Sequence, residues 1–207
     1  MLGMAGNANA TAFNRVNTLK WLLYIAQERG WIRVHPFVSF ECVPEYKRRS
    51  FLSEEELQRI IHVGLKYKRQ RAMRDMFLFM CFTGIAYADL KAITYDNIHT
   101  DSDGGTWLMG NRIKTGVAYV VKLLPIAIEL IEKYRGVDEK KVSPNCVFPV
   151  GEYNTMFLSL KIIGKKCNCR TEVTPHIGRH TFAVLAILKG MPLETLQKVL
   201  GHNSIIS

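Results

Sequence analysis

Residues 174–190 read TPHIGRHTFAVLAILKG, two histidines and an arginine at the head of an otherwise apolar helix. Thr174 suits an N-cap and Pro175 the first helical position. His176 then falls in the first turn, where backbone N–H groups point outward and favour an anion. Arg179 and His180, three and four residues on, share its face. The opposite side, with Ile177, Leu185 and Leu188, is expected to pack inward and hold the constellation in place. Such a head can clamp a phosphate, hold a metal or cap a buried helix. His180 alone reads equally well as a buried histidine bonded to a backbone carbonyl, whereas a buried guanidinium at Arg179 needs a partner.

Metal is the sharper rival to phosphate. Cys167, Cys169, His176 and His180 give C-x-C followed by H-x₃-H, and two histidines at that spacing can share a zinc ion. The C-x-C step is tighter than ordinary zinc-ligand spacing, and Arg179 would set a positive charge beside the ion. Phosphate is therefore favoured, and neither metal nor cofactor is expected.

Further candidates surround this helix in sequence. LQKVLGHNS (196–204) ends a second amphipathic helix: Gly201 suits a left-handed stop, and His202 sits directly after it. Lys114 lies at the tip of a hairpin, RIKTG, where a long amine can swing toward a ligand or merely serve solubility. Upstream, MFLFMCF (76–82) is apolar all round and marks a central buried helix, followed by a turn at Gly84 and the short helix of TGIAYADL. Between Asn97 and Pro125 the pattern changes to three short strands with turns at DSDGG and Thr115-Gly116. Ser53 and Glu56 form a capping box ahead of Leu57, Ile60, Ile61, Gly64 and Leu65. Helices are expected again near 125–135, 151–163, 175–189 and 192–200. The fold class is thus mainly α with one small three-stranded antiparallel sheet.

Residues 11–29 form a separate helix with Val16, Leu19, Leu23 and Ala26 on one face and Gly30 as its stop. HPFVSFECVPEYKRRS then reads as an extended basic linker. The organisation expected is residues 1–34 as the end of a helical domain, 35–50 as linker and 51–207 as the main domain. The charge balance suggests a polyanionic partner: 28 Lys and Arg against 18 Asp and Glu give a net charge of +10. The five cysteines are odd in number and scattered, so no disulfide framework is implied. No run is long and apolar enough for a membrane span and no secretory signal is evident, so a cytoplasmic location is expected.

Taken together, TGIAYADL after a buried helix, KTG at a hairpin tip, HIGRHTFA at a helix start and LGHNSI about twenty residues later resemble the catalytic domain of the tyrosine recombinases, the phage-integrase family. The helix at 11–29 with GWIRVHPF resembles the last helix of that family's core-binding domain. The resemblance implies a DNA breaking-rejoining fold and site-specific recombination through a phosphotyrosyl intermediate, which conserves bond energy and needs no ATP. It implies that Arg179 binds the scissile phosphate, that His176 and His202 donate hydrogen bonds or move protons, that Lys114 protonates the leaving 5′ oxygen, and that His180 supports the site. Double-stranded DNA is the implied partner, with Lys47, Arg48, Arg49 and Arg112 near its backbone and self-association into a tetramer on DNA.

Two departures from the family pattern stand out. Ala86 occupies the place of the first family arginine, leaving open whether Lys91, Arg112 or Arg74 supplies that charge. Asp89 matches the acidic residue of the same motif and is expected to be structural. The nucleophilic tyrosine is expected about nine residues after His202, beyond Ser207, so the 207 residues are expected to be a fragment that binds DNA without cleaving it. The alternative is a non-catalytic DNA-binding protein that keeps the fold.

Overall fold

The computed structural model describes residues 9–43, 50–137 and 145–201. Lys47, Arg48, Arg49 and His202 lie outside them. The chain divides into two compact units, Met1–Arg49 and Ser50–Ser207.

In the first unit, helix α1 (Asn9–Glu28) is followed by Gly30 at φ +69°. Of the expected inner face, Val16 is buried and Leu23 and Ala26 are half-buried, but Leu19 is exposed, as are Trp21, Leu22 and Tyr24. The segment from His35 to Phe40, read as the start of an extended linker, instead turns back onto α1. His35 Nδ1 accepts the Phe37 N–H at 3.1 Å, which leaves the proton on Nε2 to be donated to the Lys20 carbonyl at 3.0 Å. Lys20 Nζ in turn donates to the Phe40 carbonyl at 2.6 Å.

The second unit is built around α3 (Lys68–Thr83), the buried helix expected from MFLFMCF. Met76, Phe77, Phe79, Met80 and Cys81 are almost fully buried. Burying each of the larger of these side chains contributes roughly 1.5–3 kcal/mol. Around α3 pack α2 (Glu54–His62), α5 (Pro125–Lys133), α6 (Tyr153–Lys166) and α7 (Pro175–Leu188). The capping box at the start of α2 is present in both directions, Ser53 Oγ accepting from Glu56 N–H and the Glu56 carboxylate from Ser53 N–H. Asp75 on α3 is buried and held by Lys133 at 2.6 Å, Arg74 at 2.9 Å and the Tyr134 hydroxyl at 3.1 Å.

Gly84, at φ +71°, ends α3 and opens the turn to α4 (Tyr87–Ala92). The antiparallel sheet follows in the order β1 (Ile98–Thr100), β2 (Thr106–Asn111), β3 (Ala118–Lys122). Its register places Ile98, Leu108 and Val121 in one row facing the core, with Met109 and Val120 on the outer face. Helix α8 (Leu193–Leu200) packs beside β3 and is capped by Gly201, φ +60°. These elements match the mainly α fold with a small sheet expected from the sequence.

One contact ties the beginning of this unit to α7. Leu52, fully buried, donates its N–H to the Thr181 hydroxyl at 3.0 Å, and Thr181 is itself fully buried. Thr181→Val keeps the shape but strands that N–H, so it should lower unfolding free energy by about 1–3 kcal/mol. Thr181→Ser should restore most of the loss. Urea denaturation of the three proteins tests this, and a valine variant as stable as the parent would show that the bond carries no weight.

Candidate active site

Thr174 has the extended backbone of an N-cap, but its side chain makes no cap bond; the first turn closes instead through its carbonyl, which accepts from the Ile177 N–H at 3.1 Å. His176 is exposed, Arg179 only 7% exposed and His180 half-buried. The two imidazoles meet edge to face, 4.4 Å between ring centres. Ile177 is buried as expected and Leu185 half-buried, but Leu188 is 71% exposed. Helix crossings explain the difference. Helix α7 presses on α3 at Gly178, where an added Cβ would lie 3.1 Å from the Met80 Cβ. Leu188 is about 15 Å further along the axis, past the crossing.

Arg179 is the buried guanidinium that needed partners. Its Nη1 donates to the Gly84 carbonyl and its Nη2 to the Leu200 carbonyl, each at 2.6 Å. The glycine of the TG pair is required twice over at this junction. Its φ is positive, and a Cβ there would lie 2.5 Å from the Phe182 ring and 2.7 Å from Leu200 Cδ2.

Arg112 reaches the same place from the hairpin. Its Nη1 donates to the Leu200 carbonyl at 2.8 Å, so two guanidinium groups share one oxygen. Asp89 on α4 holds it there: Oδ2 lies 2.6 Å from Arg112 Nε, while Oδ1 accepts the Ile113 N–H at 2.9 Å. The Nε–H is not aligned for a hydrogen bond, so this contact is an ion pair held by Coulomb attraction. Asp89 thereby fixes both the arginine and the root of the turn that carries Lys114.

Burial, followed by the nearby charge of Arg112, pushes the Arg179 pKa down to about 10 against the opposing pull of Asp89. An anion here would relieve that strain on the cation. Tyr119 lies in the same field. Burial first and the Asp89 charge second push its pKa up to about 12, with Arg112 opposing, so it stays a protonated phenol.

Lys114 stands exposed in the turn after β2. Ala86 is the N-cap residue of α4 and offers no side-chain bond. Of the three cations considered in its stead, Arg74 is engaged with Asp75 and with the Ile61 and Val63 carbonyls. Lys91 sits half-buried in the last turn of α4. Arg112 is the one that shares an oxygen with Arg179. Cys167 is buried with its thiol against the Arg59 carbonyl at 3.6 Å, and among the described residues no three His, Cys, Asp or Glu side chains gather as a metal site requires. The sequence did not reveal the Leu200 carbonyl as the meeting point, since backbone oxygens carry no residue-type signal.

Residues 50–207 match the description "Phage integrase family". The chain belongs to that family. It is 27% identical over 165 residues to the tyrosine recombinase XerA of Saccharolobus solfataricus, covering 79% of this chain and 52% of XerA. It is 22% identical over 210 residues to XerC of Listeria monocytogenes, covering 97% and 70%. The chain spans 52–57% of the length of XerA and of two bacterial tyrosine recombinases. Among solved structures it superposes on the Tn1549 transposon integrase in complex with transposon right end DNA, with a TM-score of 0.72 at 17% identity over 99% of this chain and 75% of the other. A lambda integrase dimer bound to a COC′ core site gives 0.68 at 21% identity, over 91% and 68%. At such identities the likeness concerns the fold.

Asp89→Asn keeps an oxygen for the Ile113 N–H but removes the charge facing Arg112. Breaking a buried pair from one side costs about 3–5 kcal/mol, and the loss should appear as a lower denaturation midpoint. An unchanged midpoint would show that shape, not charge, seats Arg112.

Proposed function

We propose that this chain supplies the catalytic domain of a site-specific recombinase or integrase that cuts and rejoins duplex DNA. What carries the reading is the pair of guanidinium groups, Arg179 and Arg112, converging on one carbonyl oxygen beside the first turn of α7. A DNA phosphate presents oxyanions to the same donors. On this reading Arg179 and Arg112 hold the scissile phosphate and stabilise the charge that builds up on it, Arg112 standing in for the arginine that Ala86 replaces.

The remaining steps follow from the family resemblance. A tyrosine hydroxyl attacks phosphorus, its proton passing to a nearby base, and the P–O bond to the 5′ oxygen breaks as Lys114 protonates that oxygen. The phosphotyrosyl ester retains the energy of the broken bond, so rejoining reverses the step without ATP. His176 donates a hydrogen bond to a phosphate oxygen, His202 assists proton movement, and His180 supports the ring of His176 through their edge-to-face contact. Lys47, Arg48 and Arg49 contact the DNA backbone. Self-association on DNA and a cytoplasmic location belong to the same proposal. No described helix is long and apolar enough to cross a membrane.

Arg112 also weighs against the alternative of a decayed, non-catalytic DNA-binding domain, because the charge absent at Ala86 is supplied from the hairpin. Arg112→Ala should weaken DNA binding, and Ala86→Arg in that background should recover part of it; failure of any such rescue would sink the replacement. No tyrosine of this sequence follows Tyr153. The 207 residues are therefore expected to bind DNA, losing affinity about 0.9 log unit per phosphate contact for each tenfold rise in salt, without forming an adduct on a suicide duplex. A covalent adduct resolved on a denaturing gel would place the nucleophile among the upstream tyrosines and overturn the assignment.

A further inference from the structure

Away from the pocket, the cations of the second unit are unevenly spread. HVGLKYKRQR (62–71) and KKCNCR (165–170) contain no acidic residue, and Lys66, Lys68, Arg69, Arg71, Lys165 and Lys166 within them are all exposed. Far apart in sequence, the two stretches lie side by side in the fold. The loop between α2 and α3 runs along α6: Arg69 Nη2 donates to Thr155 Oγ1 at 2.9 Å near one end, and Lys166 Nζ donates to the Gly64 carbonyl at the other. From Thr155 to Lys166 the helix rises about 16 Å, the axial length of roughly five phosphates of one DNA strand.

Surface lysines are usually only solvated, but this strip is organised. Arg71 Nη1 donates to the carbonyls of Leu65 and Lys66 at 2.9 and 3.0 Å, so the loop is wrapped around a guanidinium. Tyr67, 62% exposed, stands between Lys66 and Lys68 in sequence. Like charges gathered this closely repel one another, and a polyanion laid along them removes the repulsion.

Helix α3 connects the strip to the pocket. It begins at Lys68 and is capped by Gly84, whose carbonyl accepts from Arg179. We propose that the strip is a contact for the DNA backbone additional to the pocket; this rests on the reading of the chain as a DNA-binding recombinase domain, not on which residues hold the scissile phosphate.

The test uses the 207-residue chain, a duplex of about 30 base pairs and a series of salt concentrations. Lys66→Gln, Lys68→Gln and Lys165→Gln together should lower the slope of log affinity against log salt by about 0.9 for each phosphate no longer neutralised, roughly two to three in all. Lys122→Gln, Lys189→Gln and Lys198→Gln remove the same charge elsewhere and should leave the slope nearly unchanged. Equal losses in both triples would mean bulk charge and overturn the proposal, as would an unaltered slope in the first. Arg112→Gln separates the two readings. If it weakens binding while the strip triple does not, the strip fails and the pocket stands; the reverse leaves the strip standing and removes the pocket.

Discussion

A cation with almost no access to solvent must be met on its donors, and in this protein that demand falls on Arg179. Bonds from its two terminal nitrogens join the turn after α3 to the last residue of α8, so α3, α7 and α8 meet at one side chain. Desolvating a guanidinium is expensive, and carbonyl oxygens at the ends of two helices recover part of that cost because helix C-termini carry partial negative charge. The requirement reaches further still. The carbonyl of Gly84 is available only because a residue without Cβ lets Phe182 and Leu200 close in over it.

The second guanidinium follows from the first. Two like charges on one oxygen would separate unless another group held them, and Asp89 does so from a short helix with both of its oxygens engaged. Asp89 thereby brings a cation from the hairpin to the side of Arg179, while Ala86 at the helix start contributes no side-chain bond.

Much of this architecture is legible in local sequence signals. The Ser53 capping box, the glycine stops at Gly84 and Gly201, the apolar run that forms α3 and the hairpin carrying Lys114 all act over a few residues, where residue type decides conformation. Arg179 and Lys114 stand out as candidate site residues for the same reason. The rest depends on long-range packing. Arg112 contacts Leu200 across 88 residues, and only the fold shows that it, rather than Arg74, sits beside Arg179. Helical spacing points Leu188 and Leu19 inward, yet spacing does not say how far along a helix its neighbour extends. Thr174 carries the right residue type for a cap, and the turn closes through its backbone instead.

Leu52 gives the helix of Arg179 a mechanical character. The chain enters the second unit at Ser50 and within two residues is bonded to Thr181, two positions from that arginine. Two residues further on, Glu54 pairs with Lys189 just beyond the other end of the same helix. The start of this unit is therefore fastened to α7 at two points, Leu52 and the first residue of α2. How firmly residues 52–54 are seated sets how freely α7, and with it the Arg179 side chain, can shift within this unit.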